Sequence, residues 1–324
     1  MKIVIPGGSG QVGRVLARHF HEAGHQVIVL TRHPEVTPWR TVYWDGSEAG
    51  EWTQELEGAA AVINLAGRSV NCRYTARNRR EILDSRIETT RLIGKTIAKA
   101  ANPPPLWINA STATIYRHTF DRAMDEATGE LGGSEPDAQA AWHFSIDVAT
   151  AWERTFFEAA TPHTRKIALR SAMTMSPGHG GVFNAFYTLV RCGLGGPLAS
   201  GRQFVSWIHY ADFIRAVEFL MARPEIDGVV NVCSPNPLPN RGFMRLLREA
   251  AGVPFGLGGS AWMLEIAAFL HRTETELLLK SRRVVPGRLL QAGFTFQFPE
   301  WREAALDLTG RARPQTHRIE QEAA

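Results

Sequence analysis

The chain has 324 residues, 44% hydrophobic, 21% charged and 9% aromatic, a composition that excludes a wholly disordered chain, a collagen-like repeat and a disulfide scaffold. Its 36 basic and 32 acidic residues leave a net charge of +4 with no Lys/Arg block on any one element, so no nucleic-acid partner is expected. Three scattered cysteines, Cys72, Cys192 and Cys233, suit reduced thiols in a cytoplasmic protein without a metal site, and neither a signal peptide nor a membrane-spanning run is read.

Short apolar runs alternate with amphipathic stretches through the first half, the pattern of a parallel sheet with crossover helices. Residues 2–5 predict a first strand, and Val12, Val15, Leu16, Ala17 and Phe20 mark the apolar face of a helix that stops at Gly24. Further strands are predicted over 26–31, 41–44, 60–66, 106–110 and 166–171, with helices over 76–101 and 138–160. Residues 178–201 are rich in glycine around a short apolar helix and are read as a mobile, substrate-facing lid, with a fixed surface subdomain or a dimer contact as the alternative. Then come a helix over 210–222, a strand over 228–233, a helix over 241–251 and a strongly apolar helix over 260–279, read as a packed cap or dimer contact. The expected fold is α/β: a Rossmann-type doubly wound parallel sheet with a smaller C-terminal α+β lobe. Residues 1–175 form the dinucleotide domain, with 203–235 returning to it. Residues 176–202 and 236–310 form the lobe, and 311–324 a flexible tail.

Between the first strand and helix lies Gly7-x-x-Gly10-x-x-Gly13. The first glycine permits a tight turn, the second lets a pyrophosphate approach the backbone, and the third lets the helix pack on the sheet. The free N–H groups of that helix would face the phosphates. The second strand ends in Thr31 and Arg32 with no acid to take a ribose 2′-hydroxyl, and an arginine suits a 2′-phosphate. NADP(H) is the expected cofactor.

The glycine spacing, the NLAG of Asn64 to Gly67 and the STATIY of Ser111 to Tyr116 resemble the extended short-chain dehydrogenase/reductase superfamily. The stretches GHGGVFNAF, GRQFVSWIHYADF, VVNVCSPNPLPN and VVPGRLLQAGFTFQFP, with SRIETTRLI from Ser85, resemble its epimerase-family branch, whose members end in a domain of unknown function. The resemblance implies cofactor contacts at Gly7, Gly10, Gln11, Val12, Gly13, Arg32, Asp45, Leu65, Ala66, Gly67, Arg86 and Ser111. It puts Thr112 at the family's catalytic Ser/Thr and makes Tyr116 a candidate acid, with Arg170, Arg202 and His209 in a substrate cleft.

Two departures narrow the reading. The superfamily's Tyr-x-x-x-Lys dyad is missing, because none of the five tyrosines has a lysine four residues on; Phe144 or Ser145 falls at the tyrosine position and Val148 or Ala149 at the lysine position. Val205 replaces an arginine that grips the diphosphate in sugar-nucleotide epimerases, which argues against such a substrate. The expectation is an NADP(H)-dependent oxidoreductase or epimerase acting on an unidentified small molecule, monomeric or homodimeric, with a nonstandard proton donor. A non-catalytic NADPH sensor is the alternative.

Overall fold

Branched side chains dominate the strands, and they alternate between two buried faces. The structure is a computed structural model that describes residues 1–135, 139–178, 181–260 and 276–311. In chain order the strands are β1 (Lys2–Pro6), β2 (Gln26–Thr31), β3 (Arg40–Tyr43), β4 (Ala61–Asn64), β5 (Leu106–Thr112), β6 (Arg165–Ser171), β7 (Met173–Met175), β8 (Phe204–Val205), β9 (Trp207–His209), β10 (Gly228–Val232) and β11 (Leu238–Pro239). Seven of them form one parallel sheet in the order β10-β6-β5-β4-β1-β2-β3. The order reverses between β1 and β4, which opens a crevice at the carboxyl edge of the sheet.

The main helices are α1 (Gln11–Glu22), α2 (Ala76–Lys99), α3 (Ala140–Glu158), α4 (Val182–Arg191), α5 (Tyr210–Ala222) and α6 (Asn240–Ala251). On one face of the sheet Ile3, Ile5, Val27 and Val29 pack with Leu16 and Phe20 of α1, Phe213 and Val217 of α5, and Leu289 and Phe294 from near the C-terminus. On the other, Val4, Ile28 and Leu30 pack with Ile93 and Ile97 of α2, Phe156 of α3 and Trp107. The change of face at every residue is the strand period of two.

β4 ends at Asn64, not at residue 66. The Asn64 Oδ1 accepts the Ala66 N–H at 3.1 Å and turns the chain out of the sheet. A second core joins α4, α6 and the helix Trp301–Leu308: Phe186 meets Phe243 edge-on at 5.1 Å, and Phe243 stacks on Trp301 at 4.1 Å. The helix expected as a lid therefore has its apolar face, Phe183, Phe186 and Val190, inside a packed core. The apolar helix read over 260–279 falls mostly on 261–275, outside the described residues, as does the tail from 312. No helix among the described residues is long and apolar enough to cross a membrane.

Candidate functional site

The glycine loop is shaped by two close approaches. Gly7 has φ +73°, and a Cβ there would lie 2.6 Å from the Ala66 Cα, two residues past β4. A Cβ on Gly13 would lie 2.5 Å from the Gly8 Cα, so only glycine lets α1 seat on the loop. Gly10 differs: a Cβ there would meet only the Gly7 carbonyl oxygen, at 3.7 Å, and otherwise open space. Gly10 is also the N-cap of α1, offers no side-chain cap, and is followed by a first turn without acids. The first N–H groups of α1 consequently point into the crevice with their positive end uncompensated.

The end of β2 is tied to this loop by a hydrogen bond from the Thr31 hydroxyl to that of Ser9 at 3.0 Å. Arg32 and His33 beyond it are exposed. Glu35, the nearby acid, has both oxygens on Arg14, at 2.9 and 2.7 Å. Asp45, past β3, accepts the Ser47 N–H at 2.9 Å, which holds its carboxyl below the usual range. The Gln11 side chain donates to the Ser176 carbonyl at 3.4 Å, Val12 packs on the first core, and the Leu65 N–H donates to Pro6 at 2.8 Å.

Behind the crevice runs a buried polar network that sequence reasoning missed. Asn64 donates to Asn109 across β4 and β5 at 2.7 Å, and the Trp152 indole of α3 donates to Thr90 of α2 at 2.9 Å. Glu153 of α3 binds Arg170 through two parallel bonds of 2.8 and 2.7 Å and accepts the Ser111 hydroxyl at 2.6 Å. Burial works against the Arg170 charge, but the hydrogen bonds and opposite charge of Glu153, with the Tyr116 phenol, outweigh it and raise the Arg170 pKa above its ordinary range. The Arg170 guanidinium lies 4.9 Å from the Tyr116 ring centroid, and the Tyr116 hydroxyl donates to Asn231 at 2.9 Å.

These contacts place four of the residues singled out from sequence. Ser111, expected at the cofactor, donates its hydroxyl hydrogen bond to Glu153. Arg170, expected in the cleft, is held by that same carboxylate. Tyr116, the candidate acid, is 1% exposed, and burial raises its pKa, so it neither meets solvent nor gives up its proton readily. His209 caps α5 by accepting the Ala211 N–H, contacts Asp307 at 3.1 Å and lies 3.9 Å from the Phe298 ring, inside the structure rather than in a cleft. Arg202 is exposed, 5.7 Å over the Phe120 ring.

Gly67 faces the Arg86 guanidinium, whose Cζ lies 3.2 Å from where a Gly67 Cβ would be. Arg86 donates to the carbonyls of Arg68 and Ile82 at 3.1 and 3.0 Å, and its burial pushes its pKa down to about 10. Thr112 stands at the carboxyl end of β5, its oxygen taking the Thr114 N–H at 3.1 Å, which leaves its own proton to donate. Nearby, Ser145 of α3 donates to Glu276, and Lys280 donates to the Thr114 carbonyl at 2.7 Å. No group of three or more metal-ligating side chains occurs among the described residues.

A parallel sheet ordered around a glycine-lined crevice, with an uncapped helix aimed into it, defines a Rossmann-type nucleotide-binding protein. Residues 3–233 match the NAD dependent epimerase/dehydratase family, to which this chain belongs, and residues 260–308 match a domain of unknown function (DUF1731). The chain is 31% identical to the mouse epimerase family protein SDR39U1, over 95% of this chain and 99% of that one. It is similar to the crystal structure of the human protein of that name with NADPH, with TM-score 0.83 and 28% identity over 96% of this chain and 100% of that one. A nucleoside-diphosphate sugar epimerase from Corynebacterium glutamicum shares the fold, with TM-score 0.74 and 24% identity over 95% of this chain and 58% of that one.

Proposed function

We propose that this chain binds NADP(H) in the crevice and acts as an oxidoreductase or epimerase on a small molecule, with a proton donor other than a Tyr-x-x-x-Lys dyad. The observation that carries the reading is the open space above Gly10 at the N-terminus of α1, beside an exposed Arg32 and with Glu35 already neutralised by Arg14. A diphosphate fits where Gly7 and Gly13 would clash with any side chain of their own and Gly10 would not. The loop amides would hold it, Arg32 the 2′-phosphate, Asp45 the base, Leu65 to Gly67 the ribose edge, and Thr112 a substrate oxygen. The nicotinamide supplies hydride chemistry when bound. The human relative solved with NADPH supports the choice of cofactor.

Calorimetry tests it. NADPH should bind at least tenfold tighter than NADH, a difference of about 1.4 kcal/mol, and Arg32→Glu should erase the preference. Equal affinities in the wild type would refute the role of Arg32, and failure of both nucleotides to bind would overturn the reading. Turnover is then sought as NADPH oxidation against a carbonyl library.

A further inference from the structure

Two buried side chains tie residues 297–308 to the start of α5. Asp212 has 0% exposure and uses both carboxylate oxygens: Oδ1 accepts the Gln297 N–H at 2.7 Å and Arg215 at 3.0 Å, and Oδ2 accepts the Phe298 N–H at 2.8 Å. His209, 1% exposed, is the second tie. Its Nδ1 accepts the Ala211 N–H at 3.2 Å and caps α5, so the ring is neutral and its one proton sits on Nε2. That Nε2–H donates to Asp307 on the helix Trp301–Leu308 at 3.1 Å, and the Phe298 ring lies 3.9 Å away. Beyond this anchor Trp301 stacks on Phe243 of α6, which meets Phe186 of α4, so the second core hangs on the same attachment.

We propose that His209 is an acid-sensitive latch: it holds the helix Trp301–Leu308, and the second core behind it, to the sheet while its ring is neutral, and releases them when the ring takes a second proton. A proton on Nδ1 would face the Ala211 N–H, donor against donor, where the cap now stands. The two ring nitrogens are rigidly joined, so a turn of the ring that relieves this clash also withdraws Nε2 from Asp307. The new charge would lie, besides, at the positive end of α5. Three ionisable groups face the ring among the described residues. Asp307, 38% exposed, opens the pair to solvent; Asp212 is already committed to Gln297, Phe298 and Arg215. Tyr210, its ring 4.6 Å away, stays neutral because burial and Asp307 raise its pKa. Burial pushes the His209 pKa below its ordinary value, against the pull of Asp307 and Asp212. The stability that the neutral ring contributes is therefore complete above the unfolded value of about 6.5 and is lost as pH falls through the folded one.

The test needs neither substrate nor cofactor. Ring resonances of the eleven histidines are followed against pH in the 15N-labelled protein, and His209→Asn assigns one of them. The asparagine oxygen still accepts the Ala211 N–H but takes no proton. His209 should titrate below the ordinary imidazole value of about 6.5. As pH is lowered through that midpoint, the amides of Ala211 and of residues 301–308 should lose about tenfold or more of their hydrogen-exchange protection, corrected for the intrinsic rate. His209→Asn should keep its protection over the same range. Asp307→Asn, which removes a charge that favours the imidazolium, should move both the ring midpoint and the loss of protection to lower pH together, and it serves as the second reading if the asparagine variant does not fold. A ring that titrates at or above 6.5 overturns the latch. So does protection that ignores the ring midpoint in the wild type and in Asp307→Asn.

Discussion

Lys280 is a lysine placed where lysine is costly. It is 1% exposed, with one hydrogen bond to the Thr114 carbonyl. Burial, aided by the like charge of Arg282, pushes its pKa down to about 8, while Glu276 and Glu135 pull it back up. In the unfolded chain it titrates near 10.4. Between those two values the unfolded state carries a proton that the folded state has lost, so stability rises with pH across that window, by about 3 kcal/mol at most. Below about pH 8 both states are charged and the gain is absent. Urea unfolding at pH 7.0 and 9.5 should show the wild type gaining stability relative to Lys280→Met, and parallel behaviour of the two proteins would exclude a buried ammonium. Single residues were the hardest scale to read from sequence. Glu153 looks like any helix acid until β5 and β6 bring Ser111 and Arg170 to it from 42 and 17 residues away. Ser145 meets Glu276 across 131 residues, a separation that no local pattern encodes.

Elements were more legible because their signals are local. The alternation of β1 and β2, the stripe on α1 and the glycine triplet each depend on neighbours a few residues away, and strand order follows from the connection rules for parallel sheets. The three glycines nevertheless separate into two kinds, with different expected consequences. Gly7→Ala and Gly13→Ala drive a Cβ into backbone at 2.6 and 2.5 Å, and each should destabilise by about 1–3 kcal/mol in thermal or denaturant melts. Gly10→Ala meets nothing closer than 3.7 Å and should melt within about 0.5 kcal/mol of wild type, yet weaken NADPH binding tenfold or more. A Gly10 variant with native affinity would move the diphosphate elsewhere. The element left open between two readings by the sequence is α4, and its packed face favours the fixed subdomain over the lid. Glycines on both sides suggested a hinge, but its partner face on α6 and Trp301 lies 50 to 115 residues downstream and leaves no trace in the local pattern. Amides of α4 should be protected from hydrogen exchange without any ligand, and fast exchange in the apo protein would restore the lid.

At the scale of the whole molecule, chain order and spatial order diverge. The face of the sheet built on Ile3 and Ile5 is closed by Leu289 and Phe294 as well as by α1 and α5, and the far edge of the sheet is β10, whose partner β6 was made nearly sixty residues earlier. A ribosome emits about 5–20 residues per second. The first strand therefore emerges roughly 15–60 s before the residues that complete its burial. During that interval β1, β2 and β4 present branched apolar side chains on a sheet with an unfinished edge, the kind of surface that invites other chains. What looks in the finished molecule like a short cover from residues 289–294 is, during biosynthesis, the step that buries the last open face of the nascent sheet.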